Sequence, residues 1–448
     1  MRPVFPALWL STRGVWVLLG LAAGLAVASL VPALALALAG AAAIALAALV
    51  ADVGLGPSRA ALRVARRPVG GVTLRRTAGA TYDIENRAAV AIRIGFVESP
   101  IATIDFASDS LVATIDARTR RSIEQSFFAR ERGRAHFGTL YLWVENSIGL
   151  LRRRYRIDAG QDVHVLPDLS AVERYGTLAK RSTLVDAGLR RMRGRGGGSE
   201  FESLREYQAG DAFRVVDWKA TARRGRLMVA QYDVEKSQQI IVALDCGRLM
   251  TPRIASPAHG AQRKFDYALT AALSVARIAE AASDKVGLFA FAAAPLLRIA
   301  PRRGAAHVNA IARAAYDLQP RFEEPDYEAV FVDLRARIGK RSLVILFTDI
   351  FDPVTSAAVL AALGALVPRH LAMCVLANDG AVAGALATAP ATAQAAYRAA
   401  VAMTLADERA KSLAMLRARG IIVVDVPAAK LTVSLLDAYL DVKARGIL

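Results

Sequence analysis

From Val15 to Val50 no residue is charged, and the run VWVLLGLAAGLAVASLVPALALALAGAAAIALAALV is apolar on every side rather than along one stripe. Such a helix belongs in lipid or at the centre of a large protein. As one straight helix, about 36 residues would be roughly 54 Å long, against a hydrocarbon core of about 30 Å. Two short spans fit better, with the break near Ser29–Pro32, because proline disfavours helix at the residue before it. The pattern predicts a membrane anchor of two short transmembrane helices in residues 1–56. A single tilted span is one alternative. A cleaved signal peptide is another, but its apolar region is normally only about 7–15 residues long.

Residues 57–170 change rhythm. Ala88–Phe96, Leu111–Ile115, Gly138–Val144 and Val163–Leu166 are short stretches, several rich in β-branched residues, separated by turn-forming Gly, Asp, Asn and Pro. No helix-length 3.6-residue period interrupts them, which predicts a small antiparallel β-sandwich. Residues 171–236 read as a separate motif and linker region, in which Arg190–Gly198 (RRMRGRGGG) joins charge to flexible glycine as in an exposed loop.

From 237 to 448 buried-strand runs alternate with helical patterns. The predicted strands are Ile240–Leu244, Val286–Phe291, Leu343–Phe347, Leu371–Leu376 and Ile421–Val426. The predicted helices are Lys264–Ala282, Tyr327–Ile338, Ala357–Val367, Ala393–Arg419 and Leu431–Lys443. Continuous apolar strands between amphipathic helices imply a doubly wound, mostly parallel sheet covered on both faces. The fold class expected is therefore α/β, preceded by a β-rich domain and the membrane hairpin.

Composition adds direction to this picture. With 58 Lys+Arg against 40 Asp+Glu the net charge is +18. Arg2 and Arg13 precede the apolar run, and Arg59, Arg63, Arg66 and Arg67 follow it. Lys/Arg-rich flanks stay cytoplasmic, so both ends of the hairpin are expected inside a bacterial inner membrane, with the soluble domains facing the cytoplasm. Acidic residues are interspersed with the basic ones, and aromatics at 7% do not interleave with Arg in an RNA-binding pattern. Nucleic-acid binding is thereby disfavoured, and an anionic membrane surface is the better match for the charge. Cys246 and Cys374 are the only cysteines and lie in apolar surroundings, which suits buried core residues in a reducing compartment.

Ligands of open α/β sheets bind outside the carboxyl ends of the strands. Asp245 ends IIVAL and Asp349 follows LVILFT. Two carboxylates there could hold Mg²⁺ or Mn²⁺ through oxygen, or each could cap the turn after its strand. The five histidines show no HExxH spacing, and GxxxxGK[ST] and GxSxG are absent. No catalytic residue is assigned, and the chain is expected not to be an enzyme.

The segment DCGRLM from Asp245, together with Thr348–Asp349, resembles the metal-site loops of von Willebrand factor A-like domains. That family places Asp-x-Ser-x-Ser after the first strand, a Thr in a second loop and an Asp in a third. Asp245 and Asp349 match, whereas Gly247 and Leu249 stand at the serine positions and Pro325 where the Thr is expected. The resemblance implies a degraded Mg²⁺ or Mn²⁺ site of Asp245 and Asp349, with Asp326 as a substitute ligand.

A denser likeness lies in residues 197–235, GGSEFESLREYQAGDAFRVVDWKATARRGRLMVAQYDVE. Phe201, Leu204, Arg205, Glu206, Tyr207, Gly210, Asp211, Arg214, Asp217, Trp218, Lys219, Ala222 and Arg223 resemble the core motif of the bacterial domain-of-unknown-function family 58, of the MoxR-associated membrane type. Its mixed charges around Tyr207 and Trp218 admit two readings. One is a partly buried ion-pair network bracing the sheet edge; the other is a partner-binding surface built from Arg and Trp. The resemblance implies a membrane-anchored adaptor or scaffold that works with a MoxR-type AAA+ ATPase. Two alternatives are a metal-dependent hydrolase at the Asp245/Asp349 crevice and an electrostatic lipid or nucleic-acid binder using residues 174–195.

Overall fold

A computed structural model describes residues 7–146, 148–169, 200–208, 213, 216–233, 238–256, 260–350, 353–378, 380–387 and 389–446. The chain divides into two compact units, Met1–Leu166 and Pro167–Leu448. Residues 170–199, which contain both the region 174–195 and the glycine-rich stretch Arg190–Gly198, lie outside the described residues.

In the first unit, strand β1 (Ala7–Leu10) leads into helix α1 (Thr12–Ala28), whose first turn is capped by Ser11 accepting from the Gly14 N–H. A short turn containing Pro32 then leads to α2 (Ala35–Leu55). Of the two, α2, with 21 residues and a mean hydropathy of 2.2, is long and apolar enough to cross a membrane. At 17 residues α1 is shorter, reaching about 26 Å. The helices approach closely at Gly24, where an added Cβ would lie 2.5 Å from Leu38 Cδ2.

The β-rich stretch forms two facing sheets. Strands β2 (Leu62–Arg66), β3 (Val72–Thr73), β4 (Thr77–Asn86), β5 (Ile92–Glu98), β6 (Ile104–Phe106), β7 (Leu111–Ile115), β8 (Arg120–Ala129), β9 (Gly133–Glu145) and β10 (Leu151–Leu166) follow in order. One sheet runs β1-β10-β9-β5-β7 with β3 beside β10, and the other runs β2-β4-β8-β6. Alternate residues point inward, as the two-residue period of a strand requires. The shared core contains Tyr82, Phe96, Phe127 and Phe137. The strand expected to begin at Ala88 begins instead at Ile92. Asn86 turns the chain just before it, donating to Val90 O at 2.8 Å and accepting from the Ala88 N–H at 3.0 Å.

The second unit opens with β11 (Glu200–Glu206) and β12 (Met228–Asp233), an antiparallel pair enclosing the short helix α3 (Trp218–Arg224). Its main sheet uses β13 (Gln239–Asp245), β16 (Lys285–Phe291), β17 (Pro295–Arg302), β18 (Leu343–Thr348), β19 (Leu371–Asn378) and β20 (Ile422–Pro427). A two-stranded ribbon, β14 (Arg253–Ser256) and β15 (Gly260–Arg263), stands apart from it. The sheet order is β17-β16-β13-β18-β19-β20, parallel throughout except at the β16–β17 edge. Across the described chain antiparallel pairings predominate, because the sandwich and both ribbons are antiparallel but for β3–β10.

Helices α4 (Lys264–Ala281), α5 (Ala305–Ala315) and α10 (Leu431–Arg445) contribute to one core against this sheet. Helices α6 (Tyr327–Arg337), α7 (Pro353–Gly364) and α9 (Ala393–Ala418) contribute to a second, on the opposite residues of the same strands. The small α8 (Ala381–Ala387) follows β19. Strand β17 and helix α5 are absent from the sequence-based expectation. β17 carries Pro295 and Pro301 and is half exposed, which is the character of an edge strand.

Candidate functional site

Strand β13 pairs on one side with β16 and on the other with β18, so the chain changes direction across the sheet at this point. The carboxyl ends of β13 and β18 flank that switch, where open α/β sheets form their crevice. Asp245 closes β13, and Thr348 closes β18 immediately before Asp349; all three are fully buried.

Both carboxylates already have protein donors. Asp245 Oδ2 accepts from the hydroxyls of Tyr327 at 2.7 Å and Thr348 at 2.6 Å, while Oδ1 accepts from the Gly247 N–H at 2.7 Å. Burial nevertheless pushes the Asp245 carboxyl above the ordinary carboxylate range, against the opposing effect of those hydrogen bonds. The Tyr327 phenol is likewise pushed well up, first by burial and then by the Asp245 charge. Asp349 Oδ2 is bonded to the Lys264 ammonium, and neither side chain is exposed. Its Oδ1 accepts from Arg409 Nη1 at 2.8 Å and from the Ile350 N–H at 2.8 Å.

Arg409 continues the chain of charges. Its Nη2 lies 2.8 Å from Asp425 Oδ1, so Lys264, Asp349, Arg409 and Asp425 alternate in sign. Burial works against the Arg409 cation, but Asp425 and Asp349 outweigh it and hold its pKa above the usual value. Beside Arg409 and Asp425 opens a cavity of about 270 Å³ walled by Val382, Leu386, Leu405 and Leu413.

These residues do not fit a divalent cation. Two protein cations already neutralise Asp349, and three donors occupy Asp245. Gly247 has no room for the serine of the resembled motif, since a Cβ there would lie 2.3 Å from Pro325 Cγ. Asp326, expected as a substitute ligand, is exposed and caps α6 by accepting from the Ala329 N–H at 2.9 Å. The neighbouring residue Tyr327 reaches Asp245 instead. Among the described residues no group of three or more His, Cys, Asp or Glu side chains could hold a metal.

Lys264, Arg409 and Tyr327 are absent from the sequence-based site. A signal exists for the two cations. Lys264 lies in helical phase with buried Ala268, Ala271, Val275 and Ala279, and Arg409 with Ala402, Leu413 and Leu416. A cation on an apolar stripe must find a buried partner.

The 200–233 segment is placed differently. Asp217 caps α3, its Oδ1 accepting from the Lys219 and Ala220 N–H groups at 3.0 and 2.9 Å. Gly225 ends the helix at φ +67°, a left-handed conformation that favours glycine. Thr221 Oγ1 accepts from the Met228 N–H at 3.0 Å, and the Tyr207 N–H donates to Leu227 O at 2.9 Å. Val216, Ala220, Met228 and Val229 are buried. On the outside, Trp218 is 62% exposed and Phe213 64% exposed, the latter with its ring 5.7 Å from that of Tyr207. Lys219 and Arg223 are also exposed. Glu206 pairs with Arg226 at the surface, and Arg205 donates to Glu206 O at 3.2 Å. Asp211 and Arg214 lie outside the described residues. Among the described residues of the motif, Asp217 serves as a helix cap and Glu206 as half of a solvent-screened pair, which avoids the cost of burying charge.

Residues 203–381 match the family model described as "Protein of unknown function DUF58", which supports assignment of this segment to that family. A 43-residue stretch is 40% identical to the uncharacterized protein YeaD of Bacillus subtilis (strain 168), covering 10% of this chain and 11% of that relative. Among solved structures, the conserved hypothetical protein BatB from Bacteroides thetaiotaomicron aligns with a TM-score of 0.30 and 13% identity, covering 46% of this chain and 99% of that one. A PapD-like domain of human CEP192 aligns with a TM-score of 0.19 and 7% identity, over 24% of this chain and 87% of that one. At such scores these two likenesses bear on neither fold nor function.

Proposed function

We propose that the chain is a membrane-anchored adaptor that binds a protein partner through the 200–233 hairpin. The observation that carries this reading is the display of Trp218 to solvent on a helix that is capped at both ends and also exposes Lys219 and Arg223, with Phe213 exposed five residues before Trp218. Trp and Arg dominate interface hot spots, and exposed aromatics on a well-ordered element need little further ordering on binding. In this reading α1 and α2 form a membrane hairpin with both ends in the bacterial cytoplasm, supported by the arginines that flank them. The six-stranded unit is a von Willebrand factor A-like domain whose strand-end crevice is closed by internal ion pairs. Its strand order and its reversed β17 edge support that comparison.

The partner class comes from the family resemblance, which points to a MoxR-type AAA+ ATPase engaged in assembling or remodelling a complex. The metal-dependent hydrolase alternative needs a cation at carboxylates that already hold Lys264, Arg409 and four neutral donors. The test is quantitative affinity purification from crosslinked native membranes, comparing the natural chain with Trp218→Ala/Arg223→Ala. An AAA+ ATPase recovered with the natural chain and depleted at least tenfold from the variant supports the reading. Equal recovery by both moves the interface away from the hairpin, and no ATPase in either sample removes the partner class.

A further inference from the structure

The membrane hairpin does not hang from the sandwich by a flexible linker. At its entrance, the Ser11 N–H donates to Leu150 O at 2.8 Å and the Ser11 hydroxyl to Gly149 O. At its exit, the buried Asp52 carboxylate accepts from the Leu151 N–H at 2.6 Å, and Asn146 Nδ2 donates to Asp52 O at 3.1 Å. The Arg153 guanidinium donates to Val53 O, and the Tyr155 hydroxyl to Pro57 O at 2.6 Å. Both ends of the apolar helices are thus tied to one short stretch, residues 146–155. This places the start of β10 at the depth where the helices leave the hydrocarbon.

The register then decides what faces the lipid headgroups. Trp9 pairs with Arg152, and Arg154 pairs with Trp143, so all four side chains stand on the same face of the sheet. The Arg154 guanidinium lies 4.2 Å from the Trp9 ring centroid, and Arg152 lies 4.5 Å from that of Trp143. Trp9 is 53% exposed and only three residues from the first residue of α1, a reach of at most about 10 Å. Exposed Arg13 stands in the first turn of α1, and exposed Arg59 just beyond α2. The acidic neighbours here are Glu145, which Arg152 engages directly, and the buried Asp52, which accepts from the Leu151 N–H.

We propose that Trp9, Arg13, Arg59 and Arg154 form a collar that binds the phosphate headgroups of anionic phospholipids and fixes the sandwich against the membrane. Tryptophan settles at the headgroup level, and guanidinium is suited to phosphate by charge and fork geometry. Each basic group near an anionic leaflet adds attraction that salt screens. The proposal rests on the reading of α1 and α2 as a membrane hairpin.

The test uses the full chain reconstituted into vesicles of phosphatidylcholine, with or without phosphatidylglycerol. Alkaline extraction reads insertion, and mass spectrometry of the lipid retained after gentle solubilisation reads selectivity. The natural chain is expected to resist extraction and to enrich phosphatidylglycerol about fivefold or more. Arg13→Gln/Arg154→Gln is expected to resist extraction equally, keep its thermal midpoint, and lose most of that enrichment. Insertion without enrichment, or enrichment unchanged in the variant, overturns the collar and leaves the hairpin standing. Full extraction of the natural chain overturns the hairpin and the collar together.

Discussion

The Lys264 ammonium meets the Asp349 carboxylate at the carboxyl end of β18 with neither side chain exposed. Asp349→Asn takes the carboxylate away from a fully buried ammonium, whereas Lys264→Met leaves Asp349 paired with Arg409. Asp349→Asn is therefore expected to cost about 3–5 kcal/mol, and Lys264→Met less. The double variant should lose less than the sum, with a coupling of about 1–3 kcal/mol. Urea or thermal unfolding of the detergent-solubilised chain measures this, and simple additivity would show the two groups to be energetically independent.

Because protein donors already engage both carboxylates, millimolar Mg²⁺ or Mn²⁺ is expected to leave the melting temperature of the natural chain unchanged. Restoring the serine of the resembled motif does not rescue a site. Gly247→Ser should destabilise by about 1–3 kcal/mol, since the new Cβ runs into Pro325. A cation-dependent rise in melting temperature, in either form, would contradict the geometry.

Asp245 sets a pH dependence of definite sign. Its carboxyl is raised chiefly by burial, so the folded state favours the protonated form. Its contribution to stability is greatest below the ordinary carboxyl value of about 4, and it falls as pH rises from there through the raised value. Asp245→Asn does not titrate. The stability of the natural chain relative to this variant should therefore decline from pH 4 towards neutrality, as read from unfolding curves at several pH values. A difference that stays flat or grows over that window would reverse the assignment.

The hairpin separates bracing from docking. Asp217→Ala removes a helix cap and should cost about 1 kcal/mol. Gly225→Ala meets the left-handed backbone and should cost about 1–2 kcal/mol. Trp218→Ala, at an exposed position, should change stability by less than about 0.5 kcal/mol. If Trp218 is a docking anchor, the same change should weaken partner capture about thirtyfold. A large stability loss without loss of capture would make Trp218 part of the brace.

Much of this architecture could be read locally. The uncharged apolar run, the short β-branched stretches and the buried strands between amphipathic helices each carry their period in adjacent residues. The predicted strands of the second unit therefore fall within one or two residues of the observed ones. Edge strand β17 escaped because its prolines and half-exposed pattern resemble a loop. Helix α5 was missed although Val308, Ile311 and Ala315 stand at helical spacing, a legible stripe on a helix of only 11 residues.

Local pattern alone places the acids, because a buried strand run leading to Asp is legible in adjacent residues: Asp245 ends β13 and Asp349 directly follows β18. Lys264 and Arg409 carry a local signal too, as cations on apolar stripes, but the sequence-based site omitted both. Only the tertiary structure decided that those cations, from helices before and after β18, meet the same carboxylate. It alone set Pro325 against Gly247 and turned Tyr327, rather than Asp326, towards Asp245. The physical reason is range. Periodicity and capping act over a few residues, whereas the partner of a buried charge is chosen by strand order and helix packing, which join positions about 60 to 85 residues apart in the chain.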